Sequence, residues 1–192
     1  MATAIVRNKQ AARRVSPAQY KVLVTAHVMV SVGWLGAVFA KIVLGLGAMA
    51  AHAPDAAAAL YLSMNAVNVA YPPLAIGTIV SGVLLSLGTK WGLVQHYWVA
   101  TKLVLTVGVI ATAVQLTDRL AQRALAAPSG LAAGVDMRVD LTAAVTPLLY
   151  LAVAHLLMLG AATVLSIYKP WGKTWWGRRQ TAPPSRSEAR TW

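Results

Sequence analysis

The chain has 192 residues, 58% of them hydrophobic and only 11% charged, with a mean hydropathy of +0.61. A soluble domain carries about a quarter charged residues, so this composition excludes an ordinary soluble domain and predicts an all-α integral membrane protein. Cysteine is absent, which excludes disulfides, zinc–thiolate sites, iron–sulfur clusters and thiol catalysis. The formal charge of +12 sits at the two ends of the chain beside apolar segments. That placement argues against a continuous nucleic-acid-binding face and makes anionic lipid headgroups the expected counter-charge.

Residues 1–16 form a basic segment with Arg7, Lys9, Arg13 and Arg14. Ser16-Pro17-Ala18-Gln19 reads as a helix start, with Ser16 as cap, Pro17 in the first turn and Gln19 closing a capping box. The helix enters a first span over 22–47, enough for the roughly 20 residues that a bilayer crossing needs. Ala48-Met49-Ala50 resembles a cleavage site, but the apolar run before it far exceeds the ~7–15 residues of a signal-peptide core. A retained helix is expected.

From Ala56 to Lys90 the composition is helical but broken by Pro72-Pro73, which remove backbone donors. The pattern predicts a short outer helix carrying Tyr61, Asn65 and Asn68, then a second span over 73–88. The two asparagines are expected to bond carbonyls that the prolines free. After a short link comes a third span, 96–116, and then a polar loop with Asp118, Arg119, Arg123, Pro128, Gly130, Asp136 and Arg138. Asp140 is expected to cap a fourth span, 141–168, which Pro170 and Gly172 stop. Residues 17–172 thus make a four-span transmembrane domain, and 177–192, rich in Arg, Pro and Ser, are expected to form a disordered basic tail.

Orientation follows from lysine and arginine. The two terminal segments and the link with Lys90 hold twelve of them, against three (Arg119, Arg123 and Arg138) in the other connections. An N-in/C-in four-helix bundle, multi-pass in a bacterial plasma membrane with both termini cytoplasmic, is therefore expected. Tyr20, Trp91, Tyr97, Trp98, Tyr168, Trp171, Trp175 and Trp176 fall at the same inner boundary, as an aromatic belt would.

The spans contain no carboxylate, which weighs against proton- or cation-coupled transport. Nor is there a Gly-rich phosphate loop or a defensible Ser-His-Asp set. What remains is basic: His27, Lys41, His96, Lys102 and His155. At 1.5 Å per residue, Lys41 lies about 30 Å above Lys21, at the outer interface, where it is expected to snorkel to water. His96 sits among belt residues. His27 and Lys102 each lie roughly 9 Å inside the inner boundary, on helices of opposite direction.

His27, Ser31 and Trp34 form one stripe of the first helix, and Lys102 shares a face with Trp98 and Thr106. Gly33, Gly36, Ala37 and Ala40 offer small residues for close helix packing. A cofactor role for His27, Lys102 and Trp34, or a merely hydrogen-bonded buried histidine, are both open on this reading. His155 lies about 12 Å above His27, too far to share one haem iron with it. Met158 is one turn from His155, and Met49, His52 and Met64 are expected near the outer face; such thioether and imidazole ligands suit copper.

Ala26-His27-Val28, followed by Gly33-Trp34-Leu35-Gly36, resembles the first helix of copper-resistance-D-type membrane proteins. The same His-to-Trp spacing occurs in haem-binding, four-helix HemJ-type protoporphyrinogen oxidases, and His96-Tyr97-Trp98-Val99-Ala100-Thr101-Lys102-Leu103 resembles the third-helix lysine segment of both groups. Taken whole, including Ser166-Ile167-Tyr168-Lys169-Pro170-Trp171-Gly172, the chain resembles small bacterial four-helix membrane proteins of a domain-of-unknown-function family.

The resemblance implies that His27 is a haem ligand or metal-site residue, and that Lys102 pairs a propionate or is a second essential polar group. The polar and charged residues that follow the tryptophan in the oxidase group are here Ala37-Val38-Phe39-Ala40, so a site is implied and the enzyme activity is not. Three functional readings stand: a b-type haem (haem b) or other cofactor site; a non-enzymatic accessory or assembly protein that engages lipid, a partner membrane subunit or a second copy; and copper handling at His155 and Met158.

Overall fold

The computed structural model describes residues 15–89, 92–117, 119 and 137–179. Nearly all of the basic segment 1–16, the loop around Arg123 and Pro128, the pair Lys90-Trp91 and the tail beyond Arg179 lie outside the described residues. Helix α1 runs Pro17–Ala50 and starts where the sequence places it. The Ser16 hydroxyl accepts from the Gln19 amide at 3.3 Å, and the Gln19 side-chain oxygen accepts from the Ser16 amide at 2.9 Å. That reciprocal pair satisfies two of the amide donors that a helix start leaves open.

The second apolar stretch is one broken rod: α2 (Pro54–Ala66), a 3-10 turn (Val67–Ala70) and α3 (Tyr71–Gly88). Pro72 and Pro73 fall in the first turn of α3, where their missing N–H groups break no helical bond. The strain of the junction is taken up by the tight turn just before them. Helix α4 spans Tyr97–Thr112 and loosens into a π-helical stretch, Ala113–Thr117. Helix α5 spans Met137–Tyr168. Asp140 therefore lies within its first turn and is not its cap, because the helix extends beyond the apolar run from which the span was read.

After Tyr168 the chain reverses. Lys169 and Trp171 adopt positive φ (45° and 67°) on either side of Pro170, a left-handed exit of the kind that ends helices. The Thr174 amide donates to the Gln95 carbonyl at 2.8 Å, and its hydroxyl to the Val94 carbonyl at 2.7 Å. A short helix α6 (Trp175–Arg179) follows, so the first residues of the expected tail are helical.

Val15 lies against Gly88, and Thr174 is bonded to the α3–α4 link, so the start of α1, that link and the segment after α5 share one end of the bundle. Helix α1 packs against α2, α3 and α5, and α4 packs against α5, while α3 and α4 barely meet. Four helices are long and apolar enough to cross a membrane. Their outer faces carry Val32, Phe39, Leu46, Ile76, Val80, Val104, Leu157 and Ile167 exposed, a surface that suits lipid and that a monomer in water rarely shows.

Inside, two apolar clusters stack along the bundle. One joins Trp34, Val38, Ala75, Val109 and Leu159; the other, toward the far end, joins Ala48, Tyr61, Met64, Val145, Leu148 and Leu149. Close approach is seated at Gly45, where a Cβ would lie 2.7 Å from Leu149, and at Gly33 against Leu74. Gly36, expected in the same role, faces open space.

Candidate functional site

The buried polar side chains gather in two layers, with the Trp34 cluster between them. In the layer nearer the start of α1, His27 of α1 meets Ser81 of α3: Nδ1 lies 2.8 Å from the serine oxygen. Ser81 sits one turn above Gly77 and donates its single proton to that carbonyl at 2.5 Å. The Thr78 carbonyl also lies 3.3 Å from the serine oxygen; with the serine proton on either carbonyl, the oxygen accepts from Nδ1–H and Nε2 keeps its lone pair. Gly82 makes room for the ring, since a Cβ there would stand 3.2 Å from Cε1.

Lys102 of α4 lies near enough for its charge to bear on the His27 ring. Its ammonium donates to Ser166 of α5 at 2.5 Å and lies 5.9 Å from the Trp98 ring centroid. Ser166 in turn donates to the Ala162 carbonyl. One pair, His27–Ser81, thus joins α1 to α3, and the other, Lys102–Ser166, joins α4 to α5.

Along the same stripe of α1, Ser31 and Trp34 stand about 6 Å and about 10 Å of helix rise from His27. Ser31 Oγ, Trp34 Nε1 and Thr78 Oγ1 of α3 are buried without a hydrogen-bond partner. Each such group costs about 1–3 kcal/mol. Trp34 itself packs with Val38, Ala75, Val109 and Leu159.

The second layer lies toward the other end. His155 of α5, 3% exposed, has Nε2 2.8 Å from the Thr112 hydroxyl of α4, which donates to the Gly108 carbonyl at 2.7 Å. The arrangement at His27 is repeated here with the ring nitrogens exchanged. Met158 packs its methyl group toward Gly108. Lys41 does not snorkel: it is 3% exposed, donates to Asn68 Oδ1 at 2.9 Å and lies 5.7 Å from the Tyr71 ring centroid. A helical side chain leans toward the N-terminus of its helix, which carries the Lys41 ammonium inward, away from the near end of α1.

Asn68 therefore serves Lys41, while Asn65 donates to the Tyr61 carbonyl one turn back at 3.1 Å; neither repairs the proline junction. The expected outer group does not form. Met64 is fully buried in the core, whereas Met49 and His52 are exposed. Among the described residues no three His, Cys, Asp or Glu side chains come together as a metal site. His96 is buried at the start of α4 with its ring tilted against Trp98 at 6.3 Å, and its backbone pairs with Lys173.

The structure joins His27 to Ser81, Lys102 to Ser166 and His155 to Thr112, with Met158 set toward Gly108 and Trp34 in the apolar cluster with Val38 and Val109. Sequence reasoning missed Ser81, Ser166 and Thr112. Their signal is a lone hydroxyl inside an apolar span, as in Val80-Ser81-Gly82 and Leu165-Ser166-Ile167. Comparison with known protein families, curated proteins and solved structures found no match.

Proposed function

We propose that the chain crosses a bacterial plasma membrane four times, with both termini cytoplasmic, and holds a b-type haem or a similar cofactor at the His27–Lys102 layer. The observation that carries this reading is the His27 ring. Its Nδ1 lies 2.8 Å from Ser81 Oγ, whose own proton is within reach of the Gly77 carbonyl; in that tautomer Nε2 keeps the lone pair with which histidine ligates a metal.

Two further features fit a haem. Lys102 has no carboxylate in any span to neutralise it, and haem propionates are anionic. Helices α3 and α4 barely meet, so a group seated between them would displace few helix contacts. When bound, the iron supplies one-electron chemistry. The chain's own residues do the rest. Ser81 fixes the His27 tautomer, Ser166 and Trp98 hold the Lys102 ammonium in place, and the Trp34–Val109–Leu159 cluster bars water from one side. The resemblance of the His27 and Lys102 segments to haem-binding four-helix proteins supports the same reading.

The test is the haem content of detergent-purified protein expressed with adequate haem supply. The wild type is expected to carry haem, and His27→Ala to lose it. An unchanged spectrum in the variant would overturn the assignment. A haem-free wild type that also fails reconstitution would favour a second reading, a non-enzymatic accessory protein whose apolar outer faces and basic ends engage lipid or a partner subunit. That reading is favoured by Lys102, which already has Ser166 and Trp98 as partners. Copper at His155 and Met158 has less support, because among the described residues no three His, Cys, Asp or Glu side chains gather there.

A further inference from the structure

The chain reversal after α5 is strained and is held in place from outside. Lys169 and Trp171 both adopt positive φ, and for a side chain as bulky as tryptophan that backbone is an outlier. Such strain persists only where the surroundings over-determine it. Here the Thr174 amide and hydroxyl donate to the Gln95 and Val94 carbonyls, and the backbone of Lys173 pairs with that of His96. The segment is thereby strapped across the start of α4.

The strap completes a hollow of about 480 Å³ lined by Val94, Tyr97, Thr174, Trp175 and Trp176. That volume falls within the roughly 300–1,000 Å³ of small-molecule sites. Its aromatic walls gain little burial from the chain itself: Tyr97 is 47% exposed, Trp175 50% and Trp176 63%. Packing within the chain therefore does not account for where they stand. Helix α4 begins at this hollow and α5 ends just before it, and both are long and apolar enough to cross a membrane. In a chain that spans, this is the level of the lipid headgroups.

Charge selects the occupant. Lys173 is exposed and directly precedes Thr174 in the wall. Arg178 is exposed too, and its amide donates to the Thr174 carbonyl one turn back. An apolar, aromatic hollow flanked by cations is complementary to an amphiphile with an anionic head. Anionic lipids attract basic segments at this level.

We infer that the hollow of Val94, Tyr97, Thr174, Trp175 and Trp176 is a binding site for one anionic phospholipid. Val94 and the three rings take its glycerol and upper acyl region, and Lys173 and Arg178 take its phosphate. The inference rests on the reading that the chain crosses a membrane, and it is independent of any haem.

The experiment is tryptophan fluorescence of the full-length protein reconstituted into vesicles of phosphatidylcholine and phosphatidylglycerol, one lipid at a time carrying dibrominated acyl chains. Bromine quenches an indole that it touches. At equal mole fraction, brominated phosphatidylglycerol is expected to quench the wild type more strongly than brominated phosphatidylcholine. Each of the two cations is expected to contribute roughly five-fold to that preference, so the double variant Lys173→Gln/Arg178→Gln is expected to lose it. Trp175→Phe with Trp176→Phe keeps aromatic walls and removes the two reporters. The excess quenching is expected to vanish there as well, which tests the site even where the charge variant fails to fold. Equal quenching by the two lipids in a wild type that floats with the vesicles overturns the inference alone. An excess that survives in either variant does the same, because the preferred lipid then sits elsewhere on the chain. A wild type that does not float with the vesicles overturns the membrane reading and this inference with it.

Discussion

Ser81 has one proton to give, and giving it to the Gly77 carbonyl decides which nitrogen of His27 carries hydrogen. Ser81→Ala is therefore expected to leave the fold intact and to weaken haem retention about 10- to 100-fold, the usual cost of losing a ligand's outer partner. Ser81→Thr keeps the hydroxyl and should restore it; haem titration of the purified variants reads both. Lys102→Met separates charge from packing. Replacing a half-buried cation that has no anionic partner among the described residues with an apolar side chain of similar length is expected to raise the unfolding temperature of the haem-free protein and to lower its haem loading.

The similar depth expected of His27 and Lys102 comes from helix rise alone. Lys41 was misread because depth says nothing of direction. The lean of helical side chains toward the N-terminus takes its ammonium to Asn68 and not to water. Hydroxyl partners such as Ser166 were not legible, since nothing in one helix's pattern says which residue of another stands opposite.

At the scale of elements, the start of α1 was readable to the residue because capping chemistry is local. Removing its hydroxyl in Ser16→Ala is expected to cost about 1 kcal/mol, seen as a lower unfolding temperature in detergent. Glycines behave differently. The small-residue pattern identified Gly33 and Gly36 alike, yet only contact with another helix decides which is needed. Gly45→Ala would push a methyl group to 2.7 Å from Leu149 and 3.2 Å from Met64, an overpacking expected to cost about 1–3 kcal/mol. Gly36→Ala enters open space and is expected to stabilise α1 by roughly 0.5–1 kcal/mol. Thermal unfolding of the pair should move in opposite directions. The proline junction was also half legible: Pro72-Pro73 marked the break, but the 3-10 turn lies before them because prolines are tolerated in a helix's first turn.

For the whole molecule, four apolar rods and an all-helical fold follow from composition and periodicity, which is why those features agree between sequence and structure. Orientation rests on charge asymmetry alone. The chain has no cysteine, so single introduced cysteines report topology directly. A membrane-impermeant maleimide on intact cells is expected to label Ala53→Cys and to spare Gln10→Cys and Ser185→Cys; the reverse pattern would invert the assigned orientation.

The most direct measurement of the central claim is the reduced-minus-oxidised visible spectrum of the purified wild type beside His27→Ala and His155→Ala. A haem band present in the wild type, absent in His27→Ala and kept in His155→Ala is the predicted result. A band that survives in His27→Ala, or one lost only in His155→Ala, would contradict a cofactor held at the His27–Lys102 layer.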